Sequence, residues 1–320
     1  MSLTEQLQEI FGSRFKEQEP MAKHTNFRIG GPATWFVEVR TIEELQHAIT
    51  AARDAGVGFF VFGGGSNMLV SDQGYDGLMI KIGMRSYEIQ GNRVRAEAGV
   101  LSSALARATA NRGLKGLECA ISLPGTIGGA VRGNAECHGG EVKDNLVQVE
   151  VLRGGKIVEL TNEELGFAYR ESAIKHSDDI VLAATFELQE TEADELKSQL
   201  DHYLMERKRS QPFDAGSAGC MFKNYDIKDD EELQRISEKV DLPLEMSKSR
   251  RLSAGWLIDQ LDLKGKQIGG AKISEVHGNF LVNTGEATAD HVVQLIAFVK
   301  TRARDEYGIL LEEEVKLVGF

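Results

Sequence analysis

The segment GSAGCMFKN, residues 216–224, contains a first candidate for chemistry, because it places Cys220 between small residues and a Met-Phe-Lys-Asn run. A thiol can take part in a reaction where its surroundings control its ionisation. A cysteine can equally be a small hydrophobic side chain that fills space in a core. The segment alone leaves both interpretations open.

Two glycine-rich loops could hold an anion. GGGSN, residues 63–67, follows the apolar run FFVF, and LPGTIGGA occupies residues 123–130. Neighbouring glycines let backbone N–H groups converge on a phosphate without obstruction by a Cβ atom. Neither loop is a Walker A motif or a G-x-G-x-x-G fingerprint, and each alone fits a tight turn. Together they could hold both ends of a dinucleotide.

Charged and metal-binding residue types form three further groups. Glu312, Glu313 and Glu314 are consecutive, and RKR occupies residues 207–209. Taken alone, these runs are typical of a solvated strand edge and of the solvated end of a helix. Cys137 and His138 are adjacent, as in half of a metal site, but no second pair lies at zinc-like spacing. We therefore expect loop residues there and no metal.

The composition limits the class of protein. The 320 residues carry a net charge of −12, which argues against nucleic acid or an anionic membrane as the main partner. No apolar run approaches the ~18 residues that a membrane-spanning helix needs. The start, MSLTEQLQEIFGSRF, lacks the apolar stretch of a signal peptide, so we expect a cytoplasmic protein. Three cysteines indicate no disulfide framework, and the length suits two or three domains.

Apolar periodicity and turn residues predict a mixture of strands and helices. Strands are predicted at 35–39, 59–62, 77–82, 179–188, 279–283 and 310–318, with hairpins at 87–99, turning at Gly91–Asn92, and at 146–160. Helices are predicted from Thr41, in a capping box with Glu44, to Gly56, and over 101–112, 192–209, 253–260 and 289–306. We place a domain boundary in the helix 192–209.

Seven segments, in a fixed order along nearly the whole chain, resemble the UDP-N-acetylenolpyruvoylglucosamine reductase family, flavoenzymes of bacterial cell-wall precursor synthesis. They are HTNFRIGGPA (24–33), GGGSNML (63–69), SLPGTIGGAVRGNA (122–135), FAYRES (167–172), SAGCMFKN (217–224), HGNFLVN (277–283) and LLEEEV (310–315). One such segment would be weak support, whereas seven in register are strong.

The resemblance implies an α+β fold. Residues 1–200 would form an FAD-binding region of the vanillyl-alcohol-oxidase type, with lobes at about 1–84 and 85–200. Residues 201–320 would form a C-terminal α+β substrate-binding domain. The short connection from Tyr169 to Cys220 is similar to the family's compact form, which lacks an extra tyrosine-bearing loop over the substrate.

The resemblance also implies a reaction of peptidoglycan precursor synthesis. NADPH, as co-substrate, reduces FAD, and hydride then passes to the enolpyruvyl CH2 of UDP-N-acetylglucosamine enolpyruvate, giving UDP-N-acetylmuramate. The enolate-like intermediate needs fixed positive charge at its oxygens and a proton for its carbon. The implied partners are the UDP-sugar and NADPH, with no nucleic acid and no membrane insertion, and the implied state is a monomer.

Site residues follow from the same resemblance. Arg170 would bind the substrate carboxylate, Glu314 would polarise or protonate that end, and Cys220 would give the proton where the family more commonly has serine. Strand alternation instead favours Glu313 for the face of Val315 and Leu317, so Glu314 depends on the family's L-x-x-E-V pattern. The implied substrate contacts are Tyr169, Lys208, Lys223, Asn224 and Asn279. The implied FAD contacts are Gly63, Gly64, Gly65, Ser66, Asn67, Pro124, Gly125, Thr126, Ile127, Gly128, Gly129, Ala130, Gly133 and Asn134.

Two alternative functions remain open. Another FAD-linked oxidoreductase of the same fold, such as an alcohol or lactone oxidase, often carries a histidine near the glycine loop for a covalent flavin link. The loop GGGSN has none, which disfavours that alternative. A flavin-binding or nucleotide-sugar-binding protein that lost activity with the serine is the second alternative, and turnover of the substrate would exclude it.

Overall fold

Nine α-helices and twenty short strands make up the computed structural model, which describes all 320 residues. The strands are β1 Phe15–Pro20, β2 Pro32–Val39, β3 Phe59–Phe62, β4 Met68–Val70, β5 Tyr75–Ile82, β6 Tyr87–Gln90, β7 Arg93–Glu97, β8 Leu114–Lys115, β9 Glu136–Cys137, β10 Gly140–Glu141, β11 Leu146–Arg153, β12 Lys156–Thr161, β13 Ile180–Glu187, β14 Gln189–Glu190, β15 Tyr225–Asp226, β16 Arg251–Leu252, β17 Gln267–Ile268, β18 Ala271–Ile273, β19 Leu281–Asn283 and β20 Lys316–Val318. The helices are α1 Leu3–Phe11, α2 Ile42–Asp54, α3 Ser102–Ala110, α4 Ile127–Arg132, α5 Ala193–Ser210, α6 Asp230–Ser237, α7 Leu244–Ser249, α8 Ala254–Gln260 and α9 Ala289–Tyr307. None of these helices combines the length and the apolar character that crossing a membrane requires.

The chain forms two compact units, and each is built from separate stretches of sequence. Unit 1 contains Met1–Glu19, Ala33–Gly65 and Tyr75–Arg207, and unit 2 contains Pro20–Pro32, Ser66–Gly74 and Lys208–Phe320. This differs from the continuous division at residue 200 that the sequence predicts. The physical reason is that Phe27, Ile29 and Leu69 are buried in the apolar core of unit 2, although they lie early in the chain.

Unit 1 contains two large sheets and the two-stranded sheets β9-β10 and β8-β14. The first has the strand order β1-β2-β5-β3, with β2 and β3 both parallel to β5. The second has the order β12-β11-β13-β7-β6 and is antiparallel throughout. Its two predicted hairpins are confirmed: β6 turns into β7 at Gly91–Asn92, and β11 turns into β12 at Gly154–Gly155.

Helix α2 of unit 1 begins as predicted at Thr41, whose hydroxyl accepts a hydrogen bond from the Glu44 N–H at 3.2 Å. The Glu44 carboxylate does not close the predicted capping box, because it accepts from the Arg40 N–H at 2.7 Å and from both terminal nitrogens of Arg14 at 2.6 Å. These hydrogen bonds from Arg14 and Arg40 hold the pKa of Glu44 below its ordinary value.

Glu44→Gln is therefore expected to destabilise unit 1 by about 1.5–3 kcal/mol at neutral pH, the scale of a hydrogen bond to a charged group. A lowered folded-state pKa adds stability above the unfolded-state pKa, and that stability is lost as the pH falls through the folded-state pKa. The difference in unfolding free energy between wild type and variant should accordingly vanish in acid. Denaturant titrations across a pH series measure it, and a constant difference at every pH would contradict the assignment.

Unit 2 is built around the three-stranded antiparallel sheet β17-β18-β19 and the long helix α9. The Asp72 carboxylate accepts hydrogen bonds from the N–H groups of Ala289 and Asp290, so a residue far away in sequence anchors the start of α9. Strand β4 pairs with β20 in parallel. The apolar core of the unit includes Leu257, Val292 and Val299.

One predicted strand is much shorter than expected. The sequence predicts a closing strand over 310–318, but only Lys316–Val318 forms the regular strand β20. Residues 312–314 instead bind the segment around Phe222 through an isolated bridge between Phe222 and Glu313. Period-two alternation over 310–318 is therefore not a reliable guide to which glutamate faces which way.

Candidate active site

The two glycine loops of unit 1 are in close contact with each other. A Cβ atom on Gly63 would collide with the Thr126 hydroxyl, and one on Gly64 would lie 2.9 Å from the Gly125 Cα atom. Only glycine allows two backbones to approach this closely. The contact brings together residues 63–64 and 125–126, which the sequence predicts as one cofactor site.

Helix α4 begins at Ile127, within the second loop, and contains two glycines with different surroundings. A Cβ atom on Gly128 would lie 2.8 Å from the Ala98 Cβ atom, so Gly128 is required for packing. A Cβ atom on Gly129 would meet no atom within 4 Å. Gly129 is exposed and leaves the surface of the loop open. This combination fits the close approach of a dinucleotide to the backbone.

The other predicted cofactor residues differ in exposure. Ile127 and Ala130 are buried, so their side chains pack into the interior of unit 1 and fix the loop. Pro124 is exposed. Ser66 and Asn67 belong to unit 2, where the Asn67 amide donates to the Glu314 carbonyl at 3.2 Å. Gly133 ends α4 with its N–H on the Gly129 carbonyl at 3.1 Å.

Asn134 is buried and holds three segments of unit 1 together. Its Nδ2 donates to the Glu141 carboxylate at 2.6 Å and to the Ala168 carbonyl at 3.1 Å, and its Oδ1 accepts from the Lys143 N–H at 3.2 Å. Its backbone φ of 40° is left-handed, a conformation that asparagine tolerates better than most residues. Asn134 thus links the end of the glycine loop to the segment that carries Arg170.

Arg170 lies at the tip of a tight turn. The N–H groups of Ala168 and Glu171 each donate to the other residue's carbonyl at 3.1 Å, so Tyr169 and Arg170 form the two turn residues. Arg170 has a φ of 57°, a strained value for a non-glycine residue. The Lys175 ammonium donates to the Arg170 carbonyl at 2.6 Å and helps to hold this conformation.

The guanidinium of Arg170 also has local contacts. It lies 5.5 Å from the centre of the Tyr169 ring, and its Nη1 donates to the Glu136 carbonyl at 3.5 Å. Burial raises the pKa of nearby Glu141, but hydrogen bonds from Lys143 and Asn134 and the charges of Lys143 and Arg170 outweigh burial and lower it overall. Glu141 is thus an anion beside Arg170 that the sequence reasoning missed, since nothing in GGEVKDN distinguishes it locally.

In unit 2, the segment around Cys220 is extended and lies between two other segments. Cys220 is bridged to Phe280 on one side, and the Met221 N–H donates to the Asn279 carbonyl at 2.8 Å. On the other side, the Glu314 N–H donates to the Met221 carbonyl at 2.8 Å and the Lys223 N–H to the Glu312 carbonyl at 2.9 Å. The structure therefore brings three of the predicted segments together: 217–224, 277–283 and 310–315.

The three consecutive glutamates have different environments. Both carboxylate oxygens of Glu313 accept from Lys300, at 2.7 and 2.9 Å. Glu312 is 76% exposed in its side chain and lies 3.5 Å from the Lys223 ammonium. Glu314 is half-buried and is bound through its backbone to Met221, next to Cys220. Glu313 is thus occupied by an ion pair with Lys300 of α9, and the role of Glu314 stays a prediction.

The predicted substrate contacts of unit 2 lie in three places. Lys223 and Asn224 continue the Cys220 segment, and the Asn224 Oδ1 accepts from the Ala254 N–H at 3.1 Å, at the start of α8. Lys208 is exposed near the end of α5. Asn279 is 3% exposed, and its amide bonds the backbone of Phe222 at 2.8 and 2.9 Å. Direct contact of these residues with substrate stays a prediction.

Cys137 and His138 lie on the hairpin of β9 and β10 and take part in local packing. The His138 Nε2 lies 2.9 Å from the Ser122 Oγ, and its ring stacks on Tyr203 at 4.2 Å. Burial lowers the pKa of His138. No group of three or more His, Cys, Asp or Glu side chains in the chain could hold a metal ion.

Comparison with known proteins matches both halves of the chain. The family model "FAD binding domain" matches residues 33–161, and "UDP-N-acetylenolpyruvoylglucosamine reductase, C-terminal domain" matches residues 211–318. The UDP-N-acetylenolpyruvoylglucosamine reductase of Clostridioides difficile is 38% identical over 95% of this chain and 93% of its own length. The reductase of Geotalea uraniireducens is 38% identical over 94% of this chain and 93% of its own length.

A solved structure gives the same result. The crystal structure of UDP-N-acetylenolpyruvylglucosamine reductase (MurB) from Thermus caldophilus is 34% identical and superposes with a TM-score of 0.75, covering 94% of this chain and 98% of that one. The predicted α+β class, with an FAD-binding domain and a C-terminal reductase domain, is confirmed, whereas the vanillyl-alcohol-oxidase type of the FAD-binding region stays a prediction. The chain belongs to the UDP-N-acetylenolpyruvoylglucosamine reductase, or MurB, family of peptidoglycan precursor synthesis.

Proposed function

We propose that this MurB-family reductase acts in the cytoplasm as a monomer and uses NADPH to convert UDP-N-acetylglucosamine enolpyruvate into UDP-N-acetylmuramate. The observation that carries the proposal is similarity over the full length to reductases named for that substrate, in the FAD-binding domain and the C-terminal domain alike. The close contact of the glycine loops at Gly64 and Gly125 and the open surface at Gly129 support FAD as the cofactor.

The residues of unit 1 would bind the cofactor and the substrate carboxylate. The backbone of residues 63–65 and 124–130 would hold FAD, and bound FAD would supply the hydride for the enolpyruvyl CH2. Arg170 would bind the carboxylate with two parallel N–H bonds. Because the guanidinium is always charged and is presented at the tip of a fixed turn, it would stabilise negative charge without reorganising.

The residues of unit 2 would complete the reaction. As negative charge develops on the carboxylate side, the Cys220 thiol would donate its proton to the carbon beside the carboxylate. Glu314, bound through its backbone to the residue after Cys220, would polarise or protonate the carboxylate. Lys208, Lys223 and Asn224 would bind the UDP part, since two of them are cations and the diphosphate is anionic.

A spectroscopic titration tests the proposal. The purified protein should be yellow and release FAD on denaturation. Anaerobic NADPH should bleach the flavin band, and the enolpyruvyl substrate should restore it with formation of UDP-N-acetylmuramate. Colourless protein that takes up no FAD would refute the cofactor. A flavin that stays attached after denaturation would indicate a covalent oxidase, and a bleached flavin that the substrate does not reoxidise would indicate a non-catalytic binding protein.

Gly129→Ala tests the cofactor loop. A Cβ atom at this position meets no protein atom, so the apoprotein should lose no stability, and alanine is about 1 kcal/mol better than glycine inside a helix. If residues 124–130 hold FAD at close range, the added methyl group should weaken FAD binding. Thermal unfolding of the apoprotein and fluorescence titration with FAD measure the two effects. Unchanged FAD affinity would place the cofactor away from Gly129.

A further inference from the structure

Phe222 lies two residues after Cys220 and is 1% exposed. It faces Glu313 across a bridge in which the hydrogen bonds are made by the neighbouring residues, from Lys223 N–H to the Glu312 carbonyl and from Glu314 N–H to the Met221 carbonyl. In such a non-hydrogen-bonded pair, the N–H and C=O of the bridged residue point to the opposite side. Phe222 therefore has two buried backbone groups that residues 312–314 do not satisfy.

A single side chain satisfies both groups. The Asn279 Oδ1 accepts from the Phe222 N–H at 2.9 Å, and the Asn279 Nδ2 donates to the Phe222 carbonyl at 2.8 Å. The primary amide thus takes the place of the peptide group of a neighbouring strand. The main-chain carbonyl of Asn279 accepts from the Met221 N–H at 2.8 Å. One residue therefore holds the two residues that directly follow Cys220.

We propose that Asn279, in place of the direct substrate contact that the family resemblance implies, is a positioning residue that fixes the Cys220 thiol at the substrate carbon, and this role rests on the function proposed above. Both the oxygen and the nitrogen of the amide are hydrogen-bonded to the backbone of Phe222, and Asn279 is 3% exposed. The side chain therefore acts on the backbone of the segment that carries Cys220. Proton transfer to carbon depends steeply on the position of the donor. The orientation of Cys220 is then set by residue 279 and not only by its own surroundings.

The chemistry restricts which residue can replace Asn279. A hydroxyl carries its donor and its acceptor on one atom and cannot reach both backbone groups of Phe222. An ionised aspartate can accept from the N–H but sets a second oxygen against the Phe222 carbonyl. A protonated aspartate has both a donor and an acceptor and is close in shape to asparagine. Asn279→Asp should therefore behave like wild type only when its carboxyl group is protonated.

Stopped-flow kinetics of the holoenzyme test the proposal, with Asn279→Asp and Asn279→Ala compared with wild type. Reduction of the flavin by NADPH and the dissociation constant of the enolpyruvyl substrate should be unchanged. Reoxidation by that substrate should slow by about 10- to 100-fold in Asn279→Asp, which leaves one buried backbone group unsatisfied, and by at least as much in Asn279→Ala, which leaves two. Lowering the pH should restore the rate of Asn279→Asp relative to wild type but not that of Asn279→Ala. A matched control is Asn162→Ala, which removes two hydrogen bonds to main-chain carbonyls in unit 1 and should retain the wild-type rate.

A second measurement does not depend on turnover. Alkylation of the thiols by iodoacetamide, followed by mass spectrometry, should be faster at Cys220 in Asn279→Ala than in wild type and unchanged at Cys119. If wild-type holoenzyme does not turn over the enolpyruvyl substrate, the proposed function fails, and the alkylation rates still decide the positioning role. Equal alkylation of Cys220 in both proteins, or a loss confined to substrate affinity, would overturn the positioning role.

Discussion

Cys220→Ala is expected to leave the reduction of bound flavin by NADPH unchanged and to slow its reoxidation by the enolpyruvyl substrate by about 10²–10⁴-fold, the usual contribution of a positioned proton donor. The reason is that alanine keeps the small volume of the site but has no proton to give. The segment that carries Cys220 is held on both sides by backbone hydrogen bonds, from Met221 to Asn279 and from Glu314 to Met221, so loss of the side chain should not move it.

Cys220→Ser is the matched control for this prediction. Serine keeps a donor, so the rate of reoxidation should stay near that of wild type at neutral pH. A thiol loses its proton at far lower pH than a hydroxyl, so an alkaline loss of rate in wild type should shift upward or vanish in Cys220→Ser. Stopped-flow reoxidation across a pH series measures both effects. Equal rates in wild type and Cys220→Ala would show that Cys220 only fills space.

Arg170→Lys should likewise separate the two halves of the reaction. NADPH should still bleach the flavin, but reoxidation by substrate should fall by about 10²–10³-fold, the scale of one lost donor to a developing negative charge. A lysine keeps the charge but cannot bind a carboxylate with two parallel bonds. Single-turnover measurements under anaerobic conditions give the two rates separately.

The left-handed turn at Arg170 supplies a control for structural effects. Arg170→Gly removes the energetic cost of a φ of 57° and should raise the thermal stability of unit 1. It should also abolish the proposed contact of Arg170 with the substrate carboxylate. Arg250 has a φ of 54° at the end of α7, so Arg250→Gly should relieve the same strain in unit 2 without loss of reoxidation rate. Equal activity of Arg170→Gly and wild type would make Arg170 a structural residue.

Local patterns predicted the elements whose structure depends on near neighbours. The hairpin turns at Gly91–Asn92 and Gly154–Gly155 and the start of α2 at Thr41 follow from turn and cap residues within a few positions. The closing strand did not follow, because residues 312–314 bind the distant segment at 221–223 in place of a regular sheet. Alternation then gives no information about Glu313 and Glu314.

The site shows the same limit. The glycine loops were recognised because close approach of a backbone requires glycine, as at Gly63 and Gly64. The hydrogen bonds of Asn134 to Glu141 and Ala168 and of Asn279 to Phe222 could not be predicted. Ala168 and Phe222 lie far from these asparagines in sequence, and the neighbours of an asparagine do not show which group its amide binds. Only the family resemblance assigned the segments around Asn134, Arg170, Cys220 and Asn279 to one site. It implies a role for each residue but not the hydrogen bonds that hold the residue in place.

The discontinuous make-up of unit 2 has a consequence for synthesis on the ribosome. Residues 20–32 and 66–74 emerge early, but β4 finds its parallel partner β20 only at Lys316–Val318, almost at the end of the chain. Pairing of segments so far apart in sequence is slow, and unpaired apolar stretches are prone to aggregation. Phe27, Ile29 and Leu69, which are buried in the core of unit 2, therefore stay without most of that core until the residues from Lys208 onward have been synthesised. A nascent chain stalled before Lys316 is expected to need a chaperone, although unit 1 is already complete at Arg207.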